Sequence, residues 1–292
     1  MINKRVYGGD WADYLETFYK RIPEYNATNF DRNRRNITIR VNNDMIYSGL
    51  YDAMYNEILV NVEDIDKNDV PLTRLLAHEF MHMASANRDT LYNGERYKKC
   101  HMGLCKYSIA RPQNGQPELD YDFGGSLDEG MTEEMVKRAG LFGENRFYPK
   151  YQSIVTALDD LILDGEASHA YFDGGFDRIY NAIADKVDGG QERLGHLVTQ
   201  LDKHHYDYNL SANKTPKTER PYLLTRSIDD VINLYHARAM DINDWHLGID
   251  YLRDTFGPIR RIDTVENCIE NGVAPRKKHP NPEFVKMYEK SL

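Results

Sequence analysis

The chain has 292 residues, 41% of them hydrophobic and 28% charged, and its 37 Lys and Arg against 46 Asp and Glu give a net charge of −9. That composition describes a folded chain of one sizeable domain, and its acidic excess excludes a general nucleic-acid binder, which needs concentrated positive charge. Three cysteines do not make a disulfide framework, no apolar run approaches the ~20 residues that span a bilayer, and residues 1–9 lack the apolar core of a secretory signal.

Trp11, Tyr14, Leu15 and Phe18 recur at helical spacing and predict a short amphipathic helix over 11–19. A polar stretch, 26–36, separates it from three short strands. Asn36-Ile-Thr-Ile-Arg-Val alternates with period two, 45–51 follows, and 57–62 is rich in branched residues. Asp69 and Pro71 then open a helix, because Pro lacks the N–H that would go unpaired there. Leu72, Leu75, Leu76, Phe80 and Met83 form its buried face, and it is expected to end near Asn87.

Residues 88–125 contain Gly94, Gly103, Pro112, Gly115 and Pro117 and read as loops with room for a hairpin. Ser126 begins a second strong helix, 127–139, stopped by Gly140. Further helices are predicted over 151–163, 176–187, 191–205, 228–239 and 243–256, and the Lys-, Pro- and Asn-rich tail from Ala274 is expected to wrap the surface. The fold class is α+β, as a single domain 1–292. It comprises an N-terminal lobe with a small sheet and one strong helix (1–87), a loop-rich segment (88–125) and a helical lobe (126–292).

The chemistry concentrates in His78-Glu79-Phe80-Met81-His82, an HExxH motif inside the 70–87 helix. Side chains four apart share a helical face, so both imidazoles reach one metal ion. Glu79 lies beside that face, where it approaches an activated water without being a ligand. A zinc enzyme has three protein ligands and one open position. For the third, the segment Ser126-Leu-Asp-Glu129-Gly-Met-Thr-Glu133 offers Glu129, with Glu133 one turn on to accept the free ring N–H of a liganding histidine. His101 is the alternative third ligand. Ser126 with Glu129 is also a capping box, in which Glu129 turns back to the helix start.

At these residues the chain resembles the gluzincin metallopeptidases, which pair HExxH with a later helix bearing a glutamate ligand. HEFMH matches the first half of that pattern, and Leu127-Asp-Glu129-Gly-Met-Thr-Glu133 the second. The resemblance covers about 70–130. It implies a zincin-like fold with the cleft between its lobes, bound Zn2+, Glu129 as third ligand and Glu133 as the carboxylate behind a histidine. It also implies a tyrosine that stabilises the oxyanion, for which Tyr121 is placed shortly before the Glu129 helix. The 46 residues between His82 and Glu129 (129 − 82 − 1) resemble the long spacing of the anthrax lethal factor catalytic domain rather than that of thermolysin. No third His follows at the short spacing of metzincins.

The expected function is zinc-dependent hydrolysis of a peptide or protein substrate by a metalloendopeptidase, with 57–62 as the edge strand that pairs with an extended substrate. Alternatives are a non-catalytic zinc-binding scaffold and an effector protease acting on one protein. Nucleic acid and membrane are not expected partners, and the expected location is cytoplasmic, with signal-independent export left open. Cys100, His101 and Cys105 read as a free cysteine pair in a loop, or as a second metal cluster. His204 and His205 read as charges favourably placed at a helix end. Asp159, Asp160 and Asp164 read as a solvated face.

Overall fold

Ile58 and Val60, two apart and so on one face of a strand, are both fully buried. In the computed structural model, which describes residues 11–22, 27–53, 55–68, 71–87, 97–110, 118–141, 147–210, 220–239, 242–273 and 277–292, these residues belong to β3 (Glu57–Val60). β3 runs parallel to β1 (Thr38–Val41) on one side and antiparallel to β2 (Gly49–Asp52) on the other. The order is thus β1-β3-β2, and the 57–62 segment is the centre of the sheet rather than its edge. The edges are β1 and β2, and β2 is the one beside Glu79.

Helix α1 (Trp11–Tyr19) forms where its apolar spacing predicts it, and places Phe18 against Phe80. The polar stretch that follows is helical as well, as α2 (Ala27–Arg34). Its polarity has a structural use. Buried Asn33 donates from Nδ2 to the carbonyls of Met83 (2.8 Å) and Ala86 (2.9 Å), groups that the end of a helix leaves unpaired. That helix is α4 (Leu72–Ser85), which carries the HExxH motif and follows the short α3 (Val62–Asn68).

The segment expected as loops holds a second antiparallel sheet of β4 (Tyr97–Met102), β5 (Cys105–Ala110) and β6 (Glu118–Phe123), in that order. Of the glycines there, Gly103 takes φ +52° in the two-residue turn joining β4 to β5. On one face Lys106 is buried, with its Nζ 2.7 Å from Asp177, and Phe123 packs on Phe176 and Phe284. Met102, Cys105, Tyr107 and Asp122 occupy the other face, because alternate residues of a strand point to opposite sides.

The remaining described residues are helical: α5 (Gly125–Arg138), α6 (Pro149–Leu158) running into a π-helical turn (Asp159–Leu163), α7 (Glu166–Phe172), α8 (Gly175–Lys186), α9 (Gly190–Leu210), α10 (Arg220–Arg238), α11 (Ile242–Phe256), α12 (Arg260–Glu270) and α13 (Pro282–Ser291). The tail therefore docks instead of wrapping the surface. Asn281 caps α13 by accepting from the backbone N–H groups of Glu283 and Phe284, and Phe284 is buried.

Asp159 is also buried, accepting from Ala167 N at 2.7 Å at the start of α7. Asp164 pairs with Lys186 and Arg238. Helices α5 and α6 lie unusually close, because a Cβ on Gly130 would stand 2.6 Å from the carbonyl of Tyr151; only glycine leaves that space free. Among the described residues no helix is long and apolar enough to cross a membrane.

Candidate metal centre

One turn of α4 separates His78 from His82 and leaves their Nε2 atoms 3.0 Å apart. Helix α5 brings Glu129 to the same point, with Oε2 2.9 Å from His78 Nε2 and 3.4 Å from His82 Nε2. Donors about 2.0–2.1 Å from a tetrahedral metal lie roughly 3.3 Å from one another. The three atoms therefore converge at the separation a single ion requires, and this buried His–His–Glu group can hold a metal ion.

A carboxylate stands behind each imidazole. His78 Nδ1 lies 2.7 Å from Glu133 Oε1. The other oxygen of Glu133 is held by the buried guanidinium of Arg74 and by the N–H of Phe147 at 3.2 Å. His82 Nδ1 lies 3.0 Å from Asp128 Oδ2, while Asp128 Oδ1 accepts from Leu104 N at 2.9 Å. Thr132 Oγ1, bonded to the Tyr171 hydroxyl at 2.8 Å, also approaches His82 Nδ1 at 3.2 Å. A ring so held presents Nε2 to the metal in one orientation and tautomer. Asp128 is one participant that the sequence motif does not mark.

The capping box does not form. Asp202, from α9, accepts from Gly124 N (2.7 Å), Ser126 N (3.0 Å) and Ser126 Oγ (2.7 Å). With the start of α5 satisfied in this way, Glu129 is directed to the histidines. Glu79 is buried beside the donors, and its Oε2 accepts from Tyr51 N of β2 at 2.7 Å. The edge strand comes this close because Gly49 has no side chain. A Cβ there would stand 2.7 Å from Leu75 Cδ1 and 2.9 Å from Glu79 Oε1.

The donors open on a cleft of about 310 Å³ between β2 and the Cys105–Asp122 face of the second sheet, with Tyr148 and His205 also on its lining. Tyr148 precedes the proline that starts α6. Its ring centre is 5.8 Å from that of His78 and 5.9 Å from that of His205. Helix α9 continues to Leu210, so His204 and His205 do not sit at a helix end. Instead His204 Nδ1 bonds the Tyr151 hydroxyl at 2.7 Å, and His205 faces the cleft.

His101 is not with the metal donors. It lines a different cavity, of about 400 Å³, together with Tyr171 and Gly175, on the face of β4 opposite Met102. Cys105 lines the donor cleft. Tyr121 is placed in β6 opposite Ser108, but its side chain, like that of Cys100, lies outside the described residues.

Burial opposes charge on His78, yet its hydrogen bonds to Glu129 and Glu133 overcome this and hold the ring up to about 9. His82 is likewise raised despite burial, by Glu129 and Asp128. Burial works to raise Glu129, and the two imidazoles hold it well below the usual carboxylate range. Glu79 is raised, since burial outweighs the pull of His78 and His82. Burial, then the charges of Glu129 and Glu79, keep the Tyr148 phenol protonated far above its ordinary range. Burial and the nearby Asp202 push Asp122 up to about 7.

Comparison of the chain with family models, with curated proteins and with solved structures gives no match. The reading of the site rests on its own geometry.

Asp128→Ala leaves His82 without its orienting carboxylate and is expected to weaken metal binding 10- to 100-fold, measured by competition with a chromophoric chelator. An unchanged affinity would remove Asp128 from the site. For Asp122 the folded-state pKa of about 7 lies above the unfolded value, so ionisation disfavours the fold progressively as pH rises from about 4 to about 7. Thermal melts of Asp122→Asn against wild type should therefore show a stabilisation that grows across that window and is constant above it. A difference that does not vary with pH would contradict the assignment.

Proposed function

We propose that the chain is a zinc-dependent endopeptidase of gluzincin type with a zincin-like fold. The observation that carries this reading is Glu79, a buried carboxylate beside three converging donors and not one of them. A purely structural metal site has no use for such a group. Two imidazole nitrogens and one carboxylate oxygen, with a cleft on the remaining side, are a donor set suited to catalytic zinc. When bound, zinc supplies Lewis acidity, which lowers the pKa of water towards 7 and polarises a carbonyl.

The chain's own residues supply the remaining steps. Glu79, its pKa raised by burial, accepts a proton from the attacking water and returns it to the leaving amine. A base and acid tuned towards neutral pH serves both transfers. The hydrogen bond from Tyr51 N fixes the carboxylate's orientation through both. The Tyr148 hydroxyl makes no hydrogen bond among the described residues, stays protonated and borders the donors. It serves as the donor to the developing oxyanion, the role that the resemblance to gluzincins gives to Tyr121. Strand β2, with Leu50 exposed at its edge, offers the extended backbone with which a peptide substrate aligns.

Glu79→Gln should retain stoichiometric zinc while cleavage of a mixed peptide library falls by about 10²- to 10⁴-fold, as read by mass spectrometry. Cleavage undiminished in Glu79→Gln, or absent from the zinc-loaded wild type, would overturn the reading.

A further inference from the structure

The second sheet turns two different faces to its surroundings. Lys106 and Phe123, paired across β5 and β6, face the helices, and the Lys106 ammonium is taken by Asp177 and Ser291. Tyr107 and Asp122 are the next cross-strand pair and face the cleft with Cys105. Residues directly opposite in adjacent strands stand side by side on one face, so Tyr107 and Asp122 are neighbours on the cleft face. Tyr47 lines the same cleft, its phenol raised first by burial and then by the charges of Glu129 and Asp122.

The described lining of this cleft contains Asp52 at the end of β2, Asp122 and the acids of the metal centre, but neither Lys nor Arg. Aromatic walls that pack on an alkyl stem, with a carboxylate at their base, are the complement of a long cationic side chain.

Resting on the peptide-hydrolysis reading above, we infer that this cleft selects a substrate with Lys or Arg flanking the scissile bond, its charge received by Asp122 and its stem held between Tyr47 and Tyr107. Cys105 donates its thiol to Asp122 Oδ1 at 3.4 Å and stays protonated because burial raises it. It thus orients the carboxyl group through a neutral donor. The nearby Asp202 and Asp128 oppose its ionisation further. An arriving ammonium or guanidinium relieves that repulsion, whereas a substrate carboxylate increases it, so acidic residues are rejected at the same subsite.

The test uses fluorescein-labelled octapeptides in a positional scan, each with a single Arg, Lys, norleucine or Glu. Binding to zinc-loaded Glu79→Gln protein is followed by anisotropy, and cleavage by zinc-loaded wild type is followed in parallel. At one position the Arg and Lys peptides should bind and be cleaved at least tenfold better than norleucine, with Glu worst. Adding Asp122→Asn should bring the Arg-to-norleucine ratio close to one. Equal treatment of Arg and norleucine by the wild-type cleft, or a basic preference that survives Asp122→Asn, would overturn the inference and leave the hydrolysis reading in place. Selective binding through Asp122 with no cleavage by wild type would support the cationic subsite and overturn the hydrolysis reading.

Discussion

Two carboxylate–imidazole contacts, Glu133 to His78 and Asp128 to His82, are the constraint on which the arrangement of the molecule depends. They join α4 to α5 inside the protein, where an unpaired charge or an idle ring nitrogen is costly. Each carboxylate therefore has further partners, Arg74 and Phe147 N for Glu133, and Leu104 N for Asp128. Through these the centre is tied to the start of α4, to the entry into α6 and to the turn between β4 and β5. The same contacts aim both Nε2 atoms at Glu129. Relaxing either one would release a metal donor and a helix contact together.

The parts of this centre differ in how visible they are in the sequence. His78, Glu79 and His82 are legible because an i, i+4 spacing on a helix is geometry in itself, and Glu129 with Glu133 follows the same rule. Asp128 is hidden. It occupies a helix position with no periodic relation to a partner, and its meaning comes from His82, brought to it by tertiary packing. Tyr148 and His205 are hidden for the same reason, since local pattern carries no information on which elements share a cleft. The capping box misleads because Ser126 with Glu129 satisfies a local rule, while Asp202, 76 residues beyond Ser126, outcompetes it.

The long gap between His82 and Glu129 also has a physical account. Glycines and prolines make 88–125 read as loops, yet the segment holds a three-stranded meander whose strands are short and mixed in polarity. Such strands alternate between a face buried on α8 and α13 and a face turned to the cleft, so neither a hydrophobic run nor a simple alternation marks them. The meander brings the chain back to α4 and also forms the wall opposite β2. In the first sheet, the branched residues of β3 correctly marked a strand, but their burial belongs to a central strand. The edge that faces the site is Gly49–Asp52, whose glycine permits the approach to Glu79 that side chains would block.

What occupies the point where His78, His82 and Glu129 converge decides whether this is a zinc centre. X-ray absorption at the zinc edge of the purified, zinc-loaded protein measures this directly. The account predicts a four-coordinate site of two imidazole nitrogens and two oxygens at about 2.0–2.1 Å, with no sulfur near 2.3 Å. A sulfur shell, which would place the ion on Cys105 elsewhere in the cleft, or a site with fewer than two imidazoles, would contradict it.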